Sequence, residues 1–137
     1  RELTDHEAAV LTEVTAWWKA NRHWMQTADI LRLDSADPAV IAEMQLAADK
    51  QRFVLFAGKS ATSTQIAPRP LRLTGLDPAA MYRIELINRN NLHHLSRGTT
   101  ALKDRVMELS GAYLMHRGVT LPWSFPDRMW VVEGTLL

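Results

Sequence analysis

The sequence contains no cysteine. That excludes a disulfide scaffold, a thiolate zinc site, a cysteine nucleophile and thiol redox chemistry, and it fits a reducing compartment such as the cytoplasm. Long apolar runs are missing as well. Lys, Arg, Asp or Glu interrupts every stretch well before the roughly 18 residues a membrane helix needs, so no membrane partner is expected. Charge of one sign is absent too: 16 Lys and Arg stand against 15 Asp and Glu, a formal charge of +1. A nucleic-acid binder would carry a dense basic stripe with aromatics among it. Asp104 and Glu108 break up the best candidate, Arg97 to Arg105, and no nucleic acid is expected as a partner. There is no internal repeat, no low-complexity tract and no Gly-x-Ser-x-Gly turn. Ser60-Ala61-Thr62-Ser63-Thr64 has neither a glycine cradle nor a neighbouring histidine, so it reads as a polar loop.

What is present is ordinary globular composition over 137 residues, 47% hydrophobic and 23% charged, enough for one domain with a real core. The chain begins at Arg1 and its first Met is Met25, which reads as a piece of a longer or processed chain. The two ends differ in charge. Residues 1–50 hold 5 basic and 9 acidic side chains, and residues 51–137 hold 11 and 6.

Thr4-Asp5-His6-Glu7 has capping-box spacing, so a helix should start there. Val10, Leu11, Val14, Trp17, Trp18 and Met25 recur at three-and-four spacing, with Asn21 interrupting the stripe, and predict an amphipathic helix over about 5–26 whose tryptophan-rich face needs a partner. Ile30 to Leu33 reads as a short strand. For 38–48, composition favours helix, but Val40, Ala42, Met44, Leu46 and Ala48 would share one face with Glu43 and Gln45 on the other, which predicts a hairpin with the strong strand Arg52 to Ala57. Met44 and Leu46 should point inward, Glu43 and Gln45 outward. Leu71 to Leu73, Tyr82 to Ile87, a segment around Val106, Met107 and Leu109, and Met129 to Val132 read as further strands. Asn88 to Asn91 reads as loop, and Gly111 to Gly118 encloses one or two helical turns. The expected fold is mainly β: an antiparallel β-sandwich of six to seven short strands preceded by one long amphipathic α-helix.

Few residues offer chemistry. His93-His94 is the best metal signal, but neighbours in an extended chain point apart and no third ligand is suitably spaced, so no metal or cofactor is expected. Asp127 and Glu133 are the only acids near the aromatic C-terminal segment. As glycosidase carboxylates they would have to face one another across a pocket, and Asp127 lies in a proline turn, where a backbone hydrogen bond is the usual role. Trp123 and Trp130 offer an aromatic platform for a sugar. Against that, Trp130 and Val132 share a strand face of the kind that packs inward.

Two stretches carry a resemblance. Trp17-Trp18-Lys19 and Arg22-His23-Trp24, running into Ile30-Leu31-Arg32-Leu33, resemble the last barrel helix and exit strand of bacterial α-galactosidases of the melibiase type, glycoside hydrolase family 36. Leu109-Ser110-Gly111-Ala112-Tyr113-Leu114, Gly118-Val119-Thr120-Leu121-Pro122 and Pro126-Asp127 with the closing strand are similar to the C-terminal signature of that family. The resemblance implies that residues 1–28 are the terminal helix of an absent (β/α)8 barrel and 29–137 a C-terminal antiparallel β-sandwich domain. It implies a non-catalytic part of an enzyme that hydrolyses terminal α-galactosides, of melibiose and raffinose type, with retention. Both catalytic aspartates of the family belong to the barrel, so no catalytic residue carries over. The barrel would be the partner, and α-galactosides would be met only through the parent enzyme. With that barrel absent, the helix face must be covered either by folding back on the sandwich or by a homodimer through Val14, Trp17 and Trp18. The alternative function is a carbohydrate-binding module using Trp123 and Trp130.

Overall fold

Thr4 starts the first helix as its spacing to Glu7 requires. Its Oγ1 accepts the Glu7 amide at 3.1 Å, and its own amide donates to Glu7 Oε2 at 2.8 Å. Helix α1 (Asp5–Met25) carries Asp5 and Glu7 in its first turn and Arg22 and His23 in its last, the arrangement its macrodipole favours. The computed structural model describes residues 2–65, 68–89, 101–122 and 124–137.

After α1 the chain forms β1 (Asp29–Leu33), β2 (Val40–Leu46), β3 (Arg52–Lys59), β4 (Met81–Leu86), the single turn α2 (Ala101–Asp104), β5 (Met107–Ser110), α3 (Gly111–His116) and β6 (Arg128–Leu136). The fold is mainly β and antiparallel, with six strands and a leading helix, as the sequence predicts. All six described strands are hydrogen-bonded into one sheet, in the order β1-β2-β3-β6-β4-β5. The last strand is therefore central, wedged between β3 and β4.

The alternation in 40–46 prevails over helix propensity. Ala42, Met44 and Leu46 are buried, Glu43 is exposed and Gln45 half-buried. Pairing from Val40↔Lys59 to Leu46↔Phe53 closes the hairpin through a turn in which Lys50 takes a φ of 59°. Ala48 departs from expectation: the strand ends at Leu46, and Ala48 lies exposed in the turn.

Two other expectations are corrected. Leu71 to Leu73 is no strand but one bridge, Leu71↔Val119, because Pro68 and Pro70 remove ladder donors just ahead of it. The segment around Val106 is strand only over Met107–Ser110, with 101–104 wound into a helical turn before it. The glycine-bounded helix is present, and Gly118 stops it with a φ of 82°. Any Cβ there would meet the Leu71 carbonyl oxygen at 2.3 Å.

Inner-face side chains of the sheet, among them Met44, Phe53, Leu55, Tyr82, Ile84, Trp130 and Val132, bury themselves under a second layer. That layer is built from Leu71, Leu73, Leu76, Leu102, Leu114, Val119 and Leu121, which lie in helical turns and connecting segments. On the outer face the C-terminal half of α1 lies back on the sheet. Trp24, Met25, Ala47 and Val54 form a separate cluster there, joined by Trp17, Ala28, Phe56 and Val131.

Candidate functional site

The stripe of α1 that Asn21 interrupts in the sequence is organised around Asn21 in the fold. Four residues after Trp17 and three before Trp24, its side chain lies between two indoles on one helical face. Asn21 Nδ2 donates to the Trp17 carbonyl at 2.8 Å, and Trp24 Nε1 donates to Asn21 Oδ1 at 3.0 Å. Arg52, at the start of β3, donates to the same Oδ1 at 2.9 Å and sets its guanidinium 5.0 Å from the Trp24 ring centroid. From β6, Glu133 Oε2 accepts the Trp17 indole N–H at 3.1 Å, and its Oε1 lies 3.8 Å from Arg52. Trp17 also meets Phe56 edge-on at 6.5 Å. Helix and sheet are thus joined by a polar network inside an aromatic frame, in which two of the hydrogen bonds, from Trp17 Nε1 and Trp24 Nε1, also fix an indole ring.

This network decides the role of Glu133. Its carboxylate is held by Trp17 and Arg52, on the outer face of the sheet. Asp127 precedes the same strand, exposed, with a φ of 62° and its amide donating to the Lys59 carbonyl at 2.8 Å. Six residues of extended chain separate the two by about 20 Å, far beyond the roughly 5 to 10 Å that either glycosidase geometry allows. The chain does not bring this pair together.

The aromatic pair fares no better as a platform. Trp130 is 2% exposed and faces the core, and Trp123 lies outside the described residues, as do His93 and His94. A sugar stacks only on an open indole face, so burial of Trp130 removes one half of the proposed platform. Among the described residues no three His, Asp or Glu side chains are grouped to hold a metal ion, and no helix is long and apolar enough to cross a membrane.

Trp130 instead borders a cavity of about 30 Å³ that Asp37, Lys59, Ser63 and Ser124 also line. A small-molecule site is usually some 300 Å³ or more. Lys59 donates to the Ser124 carbonyl at 2.6 Å, while Asp37 accepts from the Ser63 hydroxyl and, at 3.0 Å, from the Ala39 amide. The Ser63 hydrogen bond is the main cause holding the Asp37 carboxyl below its ordinary 3.8. Burial pushes the other way, and the Ala39 amide and Lys59 charge add smaller lowering. With the folded value below the unfolded one, this carboxylate stabilises the fold fully above its unfolded value, and the contribution is lost as pH falls through the folded one. Asp37→Asn is expected to cost about 1 to 2 kcal/mol near neutrality. In urea unfolding the deficit relative to the natural chain should shrink below about pH 4. A deficit independent of pH would show that Asp37 acts by shape alone.

Sequence reasoning missed Asn21, Arg52 and the Asp37–Lys59 pair. For Asn21 the signal was there: an amide at helical spacing from two tryptophans. For the others, partners lie in different strands and nothing local announces them.

Residues 40–132 match the family described as "Glycosyl hydrolase family 36 C-terminal domain". Among solved structures, the GH36 α-galactosidase AgaA from Geobacillus stearothermophilus is 23% identical with a TM-score of 0.75, covering 99% of this chain and 17% of that one. AgaB from the same organism is 25% identical with a TM-score of 0.71, covering 99% and 16%. The α-galactosidase from Lactobacillus brevis is 15% identical with a TM-score of 0.73, covering 99% and 17%. The chain therefore spans about one sixth of the length of these enzymes. No curated protein matches the sequence.

Proposed function

The chain belongs to glycosyl hydrolase family 36, as its C-terminal domain, and from that premise we propose that it is a non-catalytic β-domain supporting a catalytic barrel in a longer α-galactosidase. The enzyme so formed would hydrolyse terminal α-galactosides, of melibiose and raffinose type, with retention. The observation that carries the non-catalytic reading is the placement of Asp127 in the turn before β6 and of Glu133 six residues on within it, with Glu133 already engaged by Trp17 and Arg52. Two carboxylates so placed have no common point at which a glycosidic bond could sit.

The helix supports the same reading. Trp17 turns onto the sheet, but Leu11, Val14 and Trp18 stay 52%, 51% and 42% exposed. This remaining apolar strip continues the axis of a helix already fastened to the β-domain, which suits a connector between two bodies. In this proposal residues 1–28 complete the barrel and 29–137 form the accessory domain. When the chain is expressed by itself, the same strip is the face through which two copies would pair.

The chain alone is expected to show no turnover of p-nitrophenyl α-galactoside, and the longer polypeptide is expected to hydrolyse it. Turnover by the chain that vanished on Asp127→Asn or Glu133→Gln would overturn the non-catalytic role.

A further inference from the structure

Four arginines line one groove at the edge of the molecule, three of them close together on its far side and Arg32 on β1, across from Glu43 of β2. Arg32 comes from β1, Arg69 and Arg72 from the segment after Pro68, and Arg117 from the end of α3, with His116 beside it. The groove has a volume of about 1040 Å³, and Asp34 is the single carboxylate among its described lining residues. A chain of net charge +1 thus gathers a local excess of positive charge in one concavity, where the walls focus the field.

The backbone beneath holds these charges together. Leu71 and Val119 exchange both amide hydrogen bonds, at 2.8 and 2.9 Å, and Leu73 donates to the Leu114 carbonyl at 3.0 Å. Leu71 and Leu73 are each 3% exposed, so alternation turns Arg72 outward between them, and the Leu71–Val119 bridge brings it beside the turn that carries Arg117. Gly118 makes that close approach possible. Arg69 is tied by Nε to Gln65 Oε1 at 3.1 Å. For Arg32, Arg72 and Arg117, no described carboxylate lies within ion-pair distance. Like charges held close repel one another, and guanidinium forks fit oxyanions two bonds at a time.

The geometry points to a binding site for a compact multivalent oxyanion, a small molecule bearing two or more phosphoryl or carboxylate groups, in the groove of Arg32, Arg69, Arg72 and Arg117. A single monovalent ion would leave most of the groove's charge unanswered. Two or three linked anionic groups could engage Arg69, Arg72 and Arg117 together.

The test is calorimetric titration of inorganic pyrophosphate, and separately citrate, into the full-length polypeptide at constant ionic strength. Saturable binding of one anion per chain is expected. Arg72→Gln with Arg117→Gln should weaken it at least about tenfold for each arginine removed, while Arg83→Gln, on an arginine paired with Glu85 elsewhere, should leave it unchanged. Preference for pyrophosphate would assign the groove to phosphoryl groups, and preference for citrate to carboxylates. No binding of either anion beyond that of matched sodium chloride would overturn the proposal, and so would equal losses in the groove and Arg83 variants. Replacing Arg72 and Arg117 by lysine keeps the charge and removes the fork. Intermediate affinity is expected, and full affinity would overturn the bidentate reading.

Discussion

Trp130→Ala is expected to destabilise the chain by about 3 to 5 kcal/mol, among the largest losses that truncating one side chain here should produce. Trp130 sits on β6, the strand between β3 and β4, where Ala57 lies directly across from it. The small neighbour leaves room for the indole to spread over the inner face beside Val132, and both are essentially excluded from solvent. Truncation to alanine would remove apolar area from the core and leave a void that cannot close without disturbing the ladder between β3 and β6. No polar partner would be orphaned, because the indole N–H makes no hydrogen bond in the fold, so the whole cost is one of packing. Trp130→Phe keeps much of the ring and discards that unpaired N–H, and should cost clearly less than alanine. Urea unfolding of both variants gives the comparison. An unchanged melting temperature in Trp130→Ala, together with loss of sugar binding, would instead restore the aromatic-platform role.

The features legible in the sequence are those whose causes are local. The Thr4–Glu7 capping box lies within one turn and appears in the structure with both of its bonds. Residues 40–46 show why period outranks propensity: a strand paired on both sides gains from burying Ala42, Met44 and Leu46 together, and helix-forming composition cannot match that burial. What escaped the sequence is non-local. Nothing near Trp17 says that its indole will find Glu133, 116 residues away, or that the final strand will pass between β3 and β4. Leu71-Arg72-Leu73 alternates as a strand should, yet the prolines before it leave only one bridge. The arginine groove draws on three separated segments, so charge counting along the chain sees a mild asymmetry and misses the concentration. Membership of the family was legible through the α1 and α3 neighbourhoods, while the network that fastens α1 to the sheet depends on Asn21, which looked like an interruption.

Gly134→Ala is the second large effect expected, and its mechanism is the reverse of a cavity. Gly134 pairs with Phe53 on one side and Ile84 on the other, and the Phe53 ring lies across its Cα. A Cβ built there would come within 2.1 Å of Phe53 Cε1 and 2.2 Å of Cζ. The ring has no free direction in which to retreat. Phe53 is fully buried and meets Tyr82 edge-on at 5.7 Å, and Tyr82 is anchored in turn by its hydroxyl, which donates to the Lys50 carbonyl at 2.8 Å. Adding one methyl therefore forces a shift of the ring or of the central strand, at an expected cost of about 2 to 3 kcal/mol. The cause can be separated from any general effect of the Gly-to-Ala change by a double-mutant cycle with Phe53→Leu. That substitution removes the ring edge and costs stability by itself, but it also frees the space the new methyl needs. The double variant should be more stable than the sum of the two single losses predicts, by about 1 kcal/mol or more. Strictly additive losses would show that Phe53 is not the atom group in the way, and that the strain of Gly134→Ala is carried by the backbone of β6.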